Sequence, residues 1–383
     1  MKHAIINAEI YTGEEVLKHK VLLIADGKIL GIADRLPASE SDNSLASDWK
    51  IHDLKGENIA PGLIDIQING GYSEYFTKDP GEKSLNDIDQ ACLDFGTLNH
   101  LTTLISSTTP VILQAIDAIR KYKTARPDSG LMGMHLEGPF FNPVKRGAHD
   151  AAIVREPTDK ELQLIVEAGK DVIKIMTIAP EMFSFDQIKY LQDNGILLSA
   201  GHSNMDYEQA QVYFDKGIHL VTHLYNAMSS FAHRSPGLTG AALERKDVYT
   251  ALILDGHHCH YGAARLAERL KGDKLFLVTD SSFLGRKMKS FHWGNFDAVL
   301  TDDTYRNKEG NLAGAAISLQ EAVQNAIREL SVSQQQAIEM ATSRVARAIG
   351  MQDQIGFIKK GYPARFFVFG DQLKDDNFTS LIL

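Results

Sequence analysis

Short apolar runs separated by polar, helix-periodic stretches fill the middle of this chain. The runs fall at 59–66 (IAPGLIDI), 101–107 (LTTLISS), 131–137 (LMGMHLE), 172–179 (VIKIMTIA), 196–200 (ILLSA), 218–222 (IHLVT), 249–254 (YTALIL) and 274–279 (KLFLVT). Most are rich in β-branched residues or leucine and nearly continuous, the pattern of parallel strands buried on both faces. Most gaps carry helical patterns, at 84–98, 111–123, 158–169, 184–193, 206–216 and 261–270. Eight strand–helix units predict an α/β chain closed into a (β/α)₈ TIM-like barrel. An open doubly wound sheet is the structural rival. It usually has fewer strands, and no GxGxxG or GxxxxGK[ST] motif follows any run here.

The two ends of the chain read differently. Runs 20–25 (KVLLIA) and 28–32 (KILGI) flank Asp26-Gly27, a pair that supplies the positive φ of a tight hairpin turn. Residues 37–49 are small and polar and predict an exposed loop, and β character returns at 364–369 (ARFFVF). Both ends together predict one small β-sandwich domain, from 1–57 and 354–383, around a barrel at 58–353. The stretch 281–313, with Phe291 and Trp293, is long for a bare connection and predicts a functional lid or a small hairpin. Residues 333–349 predict one helix, with capping-box spacing at Ser333 and Gln336 and a stop at Gly350.

Composition narrows the function classes. Of 383 residues 44% are hydrophobic and 23% charged, as in ordinary globular proteins. Lys and Arg number 40 against 49 Asp and Glu, a net charge of −9. That lacks the basic surplus of a non-specific nucleic-acid binder. An anionic ligand would need locally placed positive charge, since screening over about 8 Å hides distant charges. Two cysteines, Cys92 and Cys259, leave no disulfide framework. No apolar stretch reaches the roughly 18 residues of a membrane span, and the N-terminus turns polar too early for a signal peptide. The expectation is a soluble cytoplasmic protein with neither nucleic acid nor membrane as partner.

In such a barrel, chemistry belongs at the C-terminal ends of the strands. The polar residues there are Asp65, Gln67, Asn69, Thr108, Glu137, Glu181, His202, His223, Asp255, His258 and Asp280. Glu137, His202 and His223 offer two imidazoles and one carboxylate, a set that leaves the fourth position of a tetrahedral Zn²⁺ open to water. Such an ion lowers the pKa of its water to about 7. A single histidine at a strand end is more often structural, but these three residues occupy three separate ends. They lie 65 and 21 residues apart, unlike a compact HExxH. Asp280, in LVTDSS, suits a proton carrier beside that water and equally a turn cap. Arg234, in HRSPG, has the planar fork that suits phosphate, and Asn226-Ala227-Met228 offers backbone N–H groups. His257, His258 and His260 read as a surface cluster. A second metal site with Cys259 is disfavoured, because neighbours in an extended stretch face opposite ways. Lys145 and Arg146 read as a solvated loop, and His149 follows Gly147-Ala148 in a loop that can fold back over the metal.

PGLIDIQING (61–70), HLEGPF (135–140), KRGAHD (145–150), TIAPE (177–181), SAGHS (199–203), THLYNAM (222–228), PGLTGAAL (236–243), LDGHH (254–258) and VTDSS (278–282) resemble, in order, the N-acetylglucosamine-6-phosphate deacetylase family of the amidohydrolase superfamily. The match runs over essentially the whole chain, and HLEGP with THLYNAM and a PGL segment is specific to these deacetylases. The resemblance implies a homodimeric barrel enzyme that cleaves the N-acetyl group of N-acetylglucosamine 6-phosphate. It implies Glu137, His202 and His223 as ligands of one divalent ion per subunit. Zn²⁺ is favoured by the ligand set, and Fe²⁺, Mn²⁺ or Co²⁺ would also fit. It implies Asp280 as general base and then acid, and His149 as the group that polarises the acetamide carbonyl. Asn226, the Ala227 backbone, His258 and Arg234 then contact the phosphosugar, with Arg234 reaching into the neighbouring subunit. Gln67 and Asn69 stand where many amidohydrolases carry His-x-His, as in the family's one-metal subgroup, and Gln67 is expected beside the bound water. The segment 281–313 departs from the family pattern, although 311–318 (NLAGAAIS) keeps its Ala-Gly core, and Arg365 stands where Asp is common. Two rivals are another amidohydrolase, such as a dihydroorotase or a different N-acyl-sugar deacetylase, and a metal-free scaffold. Retention of the three ligands and Asp280 argues against the scaffold.

Overall fold

The computed structural model describes residues 1–37, 49–294, 296–370, 373 and 377–383. Most of the loop expected at 37–49 lies outside these residues, and Trp49 already begins a strand. The eight barrel strands are β1 (Leu63–Ile68), β2 (Thr97–Ile105), β3 (Leu131–Glu137), β4 (Ile173–Ile178), β5 (Leu197–Ala200), β6 (Leu220–Val221), β7 (Tyr249–Ile253) and β8 (Leu275–Val278). Each pairs in parallel with the next in sequence. The ring closes at its C-terminal rim. Asp280 N–H donates to Gln67 C=O at 2.9 Å, and Asn69 N–H to Ser281 C=O at 3.0 Å. The closure therefore sits beside the residues with the most chemistry to offer.

Helices α1 (Glu82–Asp94), α2 (Thr109–Ala125), α3 (Asp159–Gly169), α4 (Phe185–Asp193), α5 (Tyr207–Asp215), α6 (Gly237–Glu244), α7 (Tyr261–Lys271) and α8 (Leu319–Glu329) wrap the strands. In α2, Ile112, Ala115, Ile116, Ile119 and Tyr122 repeat at helical spacing and are all buried. Ser184 with Gln187, Asp206 with Gln209 and Ser318 with Glu321 close capping boxes at three N-termini. Helix α6 is buried nearly all round, so it lacks the polar face that marks the others in sequence.

Three expectations need correction. The run at 59–66 is two strands. Asn58–Pro61 pairs antiparallel with Arg365–Phe369 in the terminal sheet, and the barrel begins only at Leu63. Gly62 makes the junction, because a Cβ there would fall 2.5 Å from Leu98 Cβ. The helix at 333–349 is two, Gln334–Met340 and Ser343–Ala348, broken at Thr342 with φ −136° and ψ −92°; the Ser333–Gln336 capping box is present. The 281–313 segment contributes to a four-stranded antiparallel meander, Ser290–Trp293, Phe296–Thr301, Thr304–Arg306 and Leu312–Ala315. Its apolar face, which includes Tyr305, packs as a cluster with Tyr75, Ile105 and Phe283. Ala315 N–H then donates to Asp280 C=O at 2.9 Å, which ties the meander to the barrel rim.

Among the described residues the terminal sheet has seven strands drawn from both ends of the chain. Its hairpin, Val16–Ala25 with Lys28–Ala33, turns on Asp26 (φ 51°) and Gly27 (φ 75°), as the Asp-Gly pair predicts. Ile5, Ile10, Leu22, Ile24 and Phe366 form its core. Both cysteines are buried and free.

Candidate active site

The barrel interior below the rim is polar and hydrogen-bonded. His135 Nδ1 lies 2.9 Å from Ile66 C=O and must donate to it, so Nε2 accepts from Thr177 Oγ1 at 2.7 Å. Thr177 and Ser199 both meet Thr222 Oγ1, and Asp65 accepts from Thr279 Oγ1 at 2.5 Å. Burial pushes the Asp65 carboxyl up to about 6. On this floor stands Glu137, the last residue of β3, with Oε1 receiving Gln67 Nε2 at 3.0 Å.

Three ligand atoms converge on one point. His202 Nε2 and His223 Nε2 lie 3.3 and 3.1 Å from Glu137 Oε1 and 3.1 Å from each other. A tetrahedral ion about 2.0–2.1 Å from its ligands holds them roughly 3.3–3.4 Å apart, so the trio matches one small divalent ion. Burial pushes the Glu137 carboxyl up, but its bonds to both imidazoles outweigh this and hold it well below the usual range. The orientation of His202 is fixed from behind. Its Nδ1 donates to Lys145 C=O at 2.9 Å, which leaves Nε2 free of a proton. Phe141 stacks on the same ring at 4.0 Å. His202, His223 and Asp280 have φ of 49°, 28° and 48°, a conformation uncommon for non-glycine residues. Strained backbone of this kind gathers at functional sites.

Glu137, His149 and His202 also each bring a ligand atom within 4.8 Å of the others. His149 is held differently, however. Ser106 N–H donates to its Nδ1 at 3.3 Å, with Ser106 Oγ at 2.8 Å. Nδ1 is therefore unprotonated, and Nε2 carries the hydrogen. Burial, followed by the neighbouring His202, pushes the imidazole down to about 3, so it is neutral. A neutral N–H donor suits a developing oxyanion better than it suits a cation.

Asp280 Oδ1 receives Asn69 Nδ2 at 2.8 Å. Burial first, then the charge of Glu137, pushes its carboxyl up to about 7. Glu137, His149, His202, His223, Asn69 and Asp280 line one cavity of about 410 Å³, with Asn226, Ala227, His258, Arg146, Tyr75 and residues 311–314. Gln67 is buried beneath it. His258 Nδ1 pairs with Asp255 Oδ2 at 2.7 Å, and His260 caps α7. Asn226 spends its side-chain N–H groups on the carbonyls of His223 and Leu224. Arg234 is exposed and does not line the cavity of this single chain.

Two residues changed standing. Arg146, expected in a solvated loop, lines the cavity and donates to the carbonyls of Gly147 and His149 at 3.1 and 2.9 Å. Its place three residues before His149 was the available signal. Glu181 lies behind the site, where it accepts from Asn142, Ser203 and the Asn204 backbone. Tyr75 and Asn311 carry no sequence mark, because only the closed fold brings them to the cavity.

The sequence model of the amidohydrolase family matches residues 58–381. The chain is 34% identical to the N-acetylglucosamine-6-phosphate deacetylase of Haemophilus influenzae, over 96% of this chain and 95% of that protein. It is also 34% identical to the N-acetylgalactosamine-6-phosphate deacetylase of a Shewanella species, over 93% and 89%. The crystal structure of N-acetylglucosamine-6-phosphate deacetylase from Pasteurella multocida superposes with a TM-score of 0.91 at 32% identity, covering 100% of this chain and 98% of that one.

Proposed function

This chain belongs to the amidohydrolase family, and from that premise we propose that it hydrolyses N-acetylglucosamine 6-phosphate to glucosamine 6-phosphate and acetate. The observation that carries the reading is the convergence of Glu137, His202 and His223 within 3.1–3.3 Å, in one cavity with His149 and Asp280. We assign those three as ligands of one divalent ion per subunit, with Zn²⁺ favoured by an N₂O set. Bound there, such an ion supplies a Lewis acid and an acidified water.

The chain's own residues do the rest. Asp280 takes a proton from the attacking water and later gives it to the departing amine. His149, through Nε2–H, receives the charge that develops on the carbonyl oxygen. Gln67 holds Glu137 in place from below. His258, the Asn226–Ala227 turn and Arg234 of a partner subunit take the phosphate and sugar. Binding so far from the scissile bond orients the amide. Such contacts would also supply the local positive charge that the net-acidic chain otherwise lacks. We assign 1–57 and 354–383 to the terminal β domain and 58–353 to the barrel, with Asn58–Pro61 bridging them. Among the described residues no helix is long and apolar enough to cross a membrane, and a charged phosphosugar stays where it is made, so we place the enzyme in the cytoplasm.

The galactosamine epimer is the second reading, favoured by the equal identity to the Shewanella enzyme. The test measures bound metal and acetate release from both 6-phosphates and from the unphosphorylated sugars. Preference for N-acetylglucosamine 6-phosphate supports the first reading, and preference for its epimer the second. Equal rates with and without phosphate would overturn both.

A further inference from the structure

Glu181 stands just past β4, in a short turn at Pro180–Met182, and takes no part in the chemistry proposed for the site. Its half-buried carboxylate accepts from three donors. Oε1 receives Asn204 N–H at 2.7 Å and Asn142 Nδ2 at 3.1 Å, and Oε2 receives Ser203 O–H at 2.7 Å. Ser203 and Asn204 directly follow His202 in the chain. Asn142 begins the loop that runs on to His149, and that loop meets His202 at two further points. Asn142 N–H donates to His202 C=O at 3.1 Å. Lys145, at the end of the short helical turn that Asn142 caps, accepts from His202 Nδ1 on its C=O at 2.9 Å. Asn142 holds that turn itself, since its Oδ1 receives Val144 N–H at 3.1 Å and its C=O receives Lys145 N–H at 2.8 Å.

Two arms therefore run from one carboxylate to one imidazole. The first passes through Ser203 and Asn204 to the His202 backbone, held at φ 49°. Such a conformation persists only where the surroundings hold it. The second passes through Asn142 and its turn to Lys145 C=O, which fixes the ring's direction and its tautomer. Hydrogen bonds to an ionised acceptor are roughly twice as strong as neutral ones, and the groups behind a metal-binding imidazole govern how well it binds. We propose that Glu181 is a positioning residue for the metal ion. It locks the His202 turn and ring so that Nε2 faces Glu137 and His223, and so sets how tightly the site holds its ion. The inference rests on the assignment of His202 as a ligand. Glu181 does not line the cavity, and its oxygens are taken by Asn142, Ser203 and Asn204. It acts through His202 and is not a ligand itself.

The experiment measures the Zn²⁺ dissociation constant of the full chain by competition with a chromophoric chelator, well below the unfolding midpoint of each variant. Glu181→Ala should bind Zn²⁺ about 10–100-fold more weakly than the unaltered protein. Its Co²⁺-loaded form should also show a changed visible spectrum, because His202 has moved. Glu181→Gln keeps an acceptor oxygen for the Asn204 and Asn142 donors and should recover most of the lost affinity. Ser203→Ala, which cuts one arm alone, should show a smaller loss and serves if the alanine variant at Glu181 does not fold. His202→Ala, measured alongside, tests the ligand assignment. If it binds Zn²⁺ as the unaltered protein does, that assignment falls and this proposal with it. A loss in His202→Ala beside unchanged affinity in Glu181→Ala, or in Ser203→Ala where that variant serves, would overturn this proposal alone. An equal loss in Glu181→Gln and Glu181→Ala would trace the effect to the charge of the carboxylate and not to positioning, and would likewise overturn it.

Discussion

Asp280 shows how much a single residue owes to its surroundings. Its carboxyl sits in a protein wall beside the charge of Glu137, and both effects push it up to about 7; His223, His258 and the bond from Asn69 pull the other way. A group balanced near neutrality can both take and return a proton. Replacing Asp280 with Asn removes the exchangeable carboxyl proton and leaves the three proposed ligands untouched. The expected result is an unchanged metal content with kcat reduced about 10²–10⁴-fold, read by elemental analysis and acetate release. Turnover close to that of the unaltered enzyme would remove the acid–base role. The candidate ligands were legible in sequence as three metal-binding residue types at three strand ends. The part expected of His149 came only from the family resemblance, and its tautomer was not legible, because it is set by Ser106, 43 residues away.

At the scale of elements, periodicity located most strands and helices to within a few residues. It failed where tertiary contacts override local pattern. Residues 59–66 look like one run because both halves are apolar, yet the halves serve different sheets. Helix α6 was missed because it is buried nearly all round. The capping signal read at Ser333 and Gln336 was more dependable, since capping is local by nature, and the structure adds another at Ser318. Ser318 starts α8 just after the meander. Its Oγ accepts from Glu321 N–H at 3.2 Å, while Glu321 Oε2 accepts from Ser318 N–H at 2.8 Å. Glu321 also pairs with Arg286 at 2.6 Å, which links the helix start to the meander side of the site. Ser318→Ala should lower stability by about 1 kcal/mol, seen as an earlier midpoint in urea. No shift in midpoint would mean that Arg286 alone holds this helix end.

For the whole molecule, acid stability has a buried sensor away from the cavity. His100, on β2, is 1% exposed, and among the described residues neither ring nitrogen has a hydrogen-bond partner; Asp89 Oδ1 is the facing acid at 3.9 Å. Burial pushes the imidazole down to about 4, with Asp89 opposing and Arg365 assisting. Between the unfolded value near 6.5 and this folded value, the unfolded chain takes up a proton that the folded chain refuses. The His100 contribution is therefore whole above pH 6.5 and is lost as pH falls toward 4, at a cost of about 3 kcal/mol. Urea titrations at several pH values should show that decline, and His100→Gln should flatten it. A slope unchanged by the substitution would place the acid sensitivity elsewhere.

The order of strands and helices, the Asp-Gly hairpin, the capping boxes and the residue types at each strand end are matters of local pattern, and the amino-acid sequence determined them unaided. The trio at 3.1–3.3 Å, the neutral Nε2–H of His149 and the bond from Asn69 to Asp280 were decided only by the tertiary fold. The physical reason is distance along the chain. Asn69 and Asp280 are 211 residues apart, and no periodicity reaches that far, whereas a ring of eight parallel strands brings its first and last members into contact.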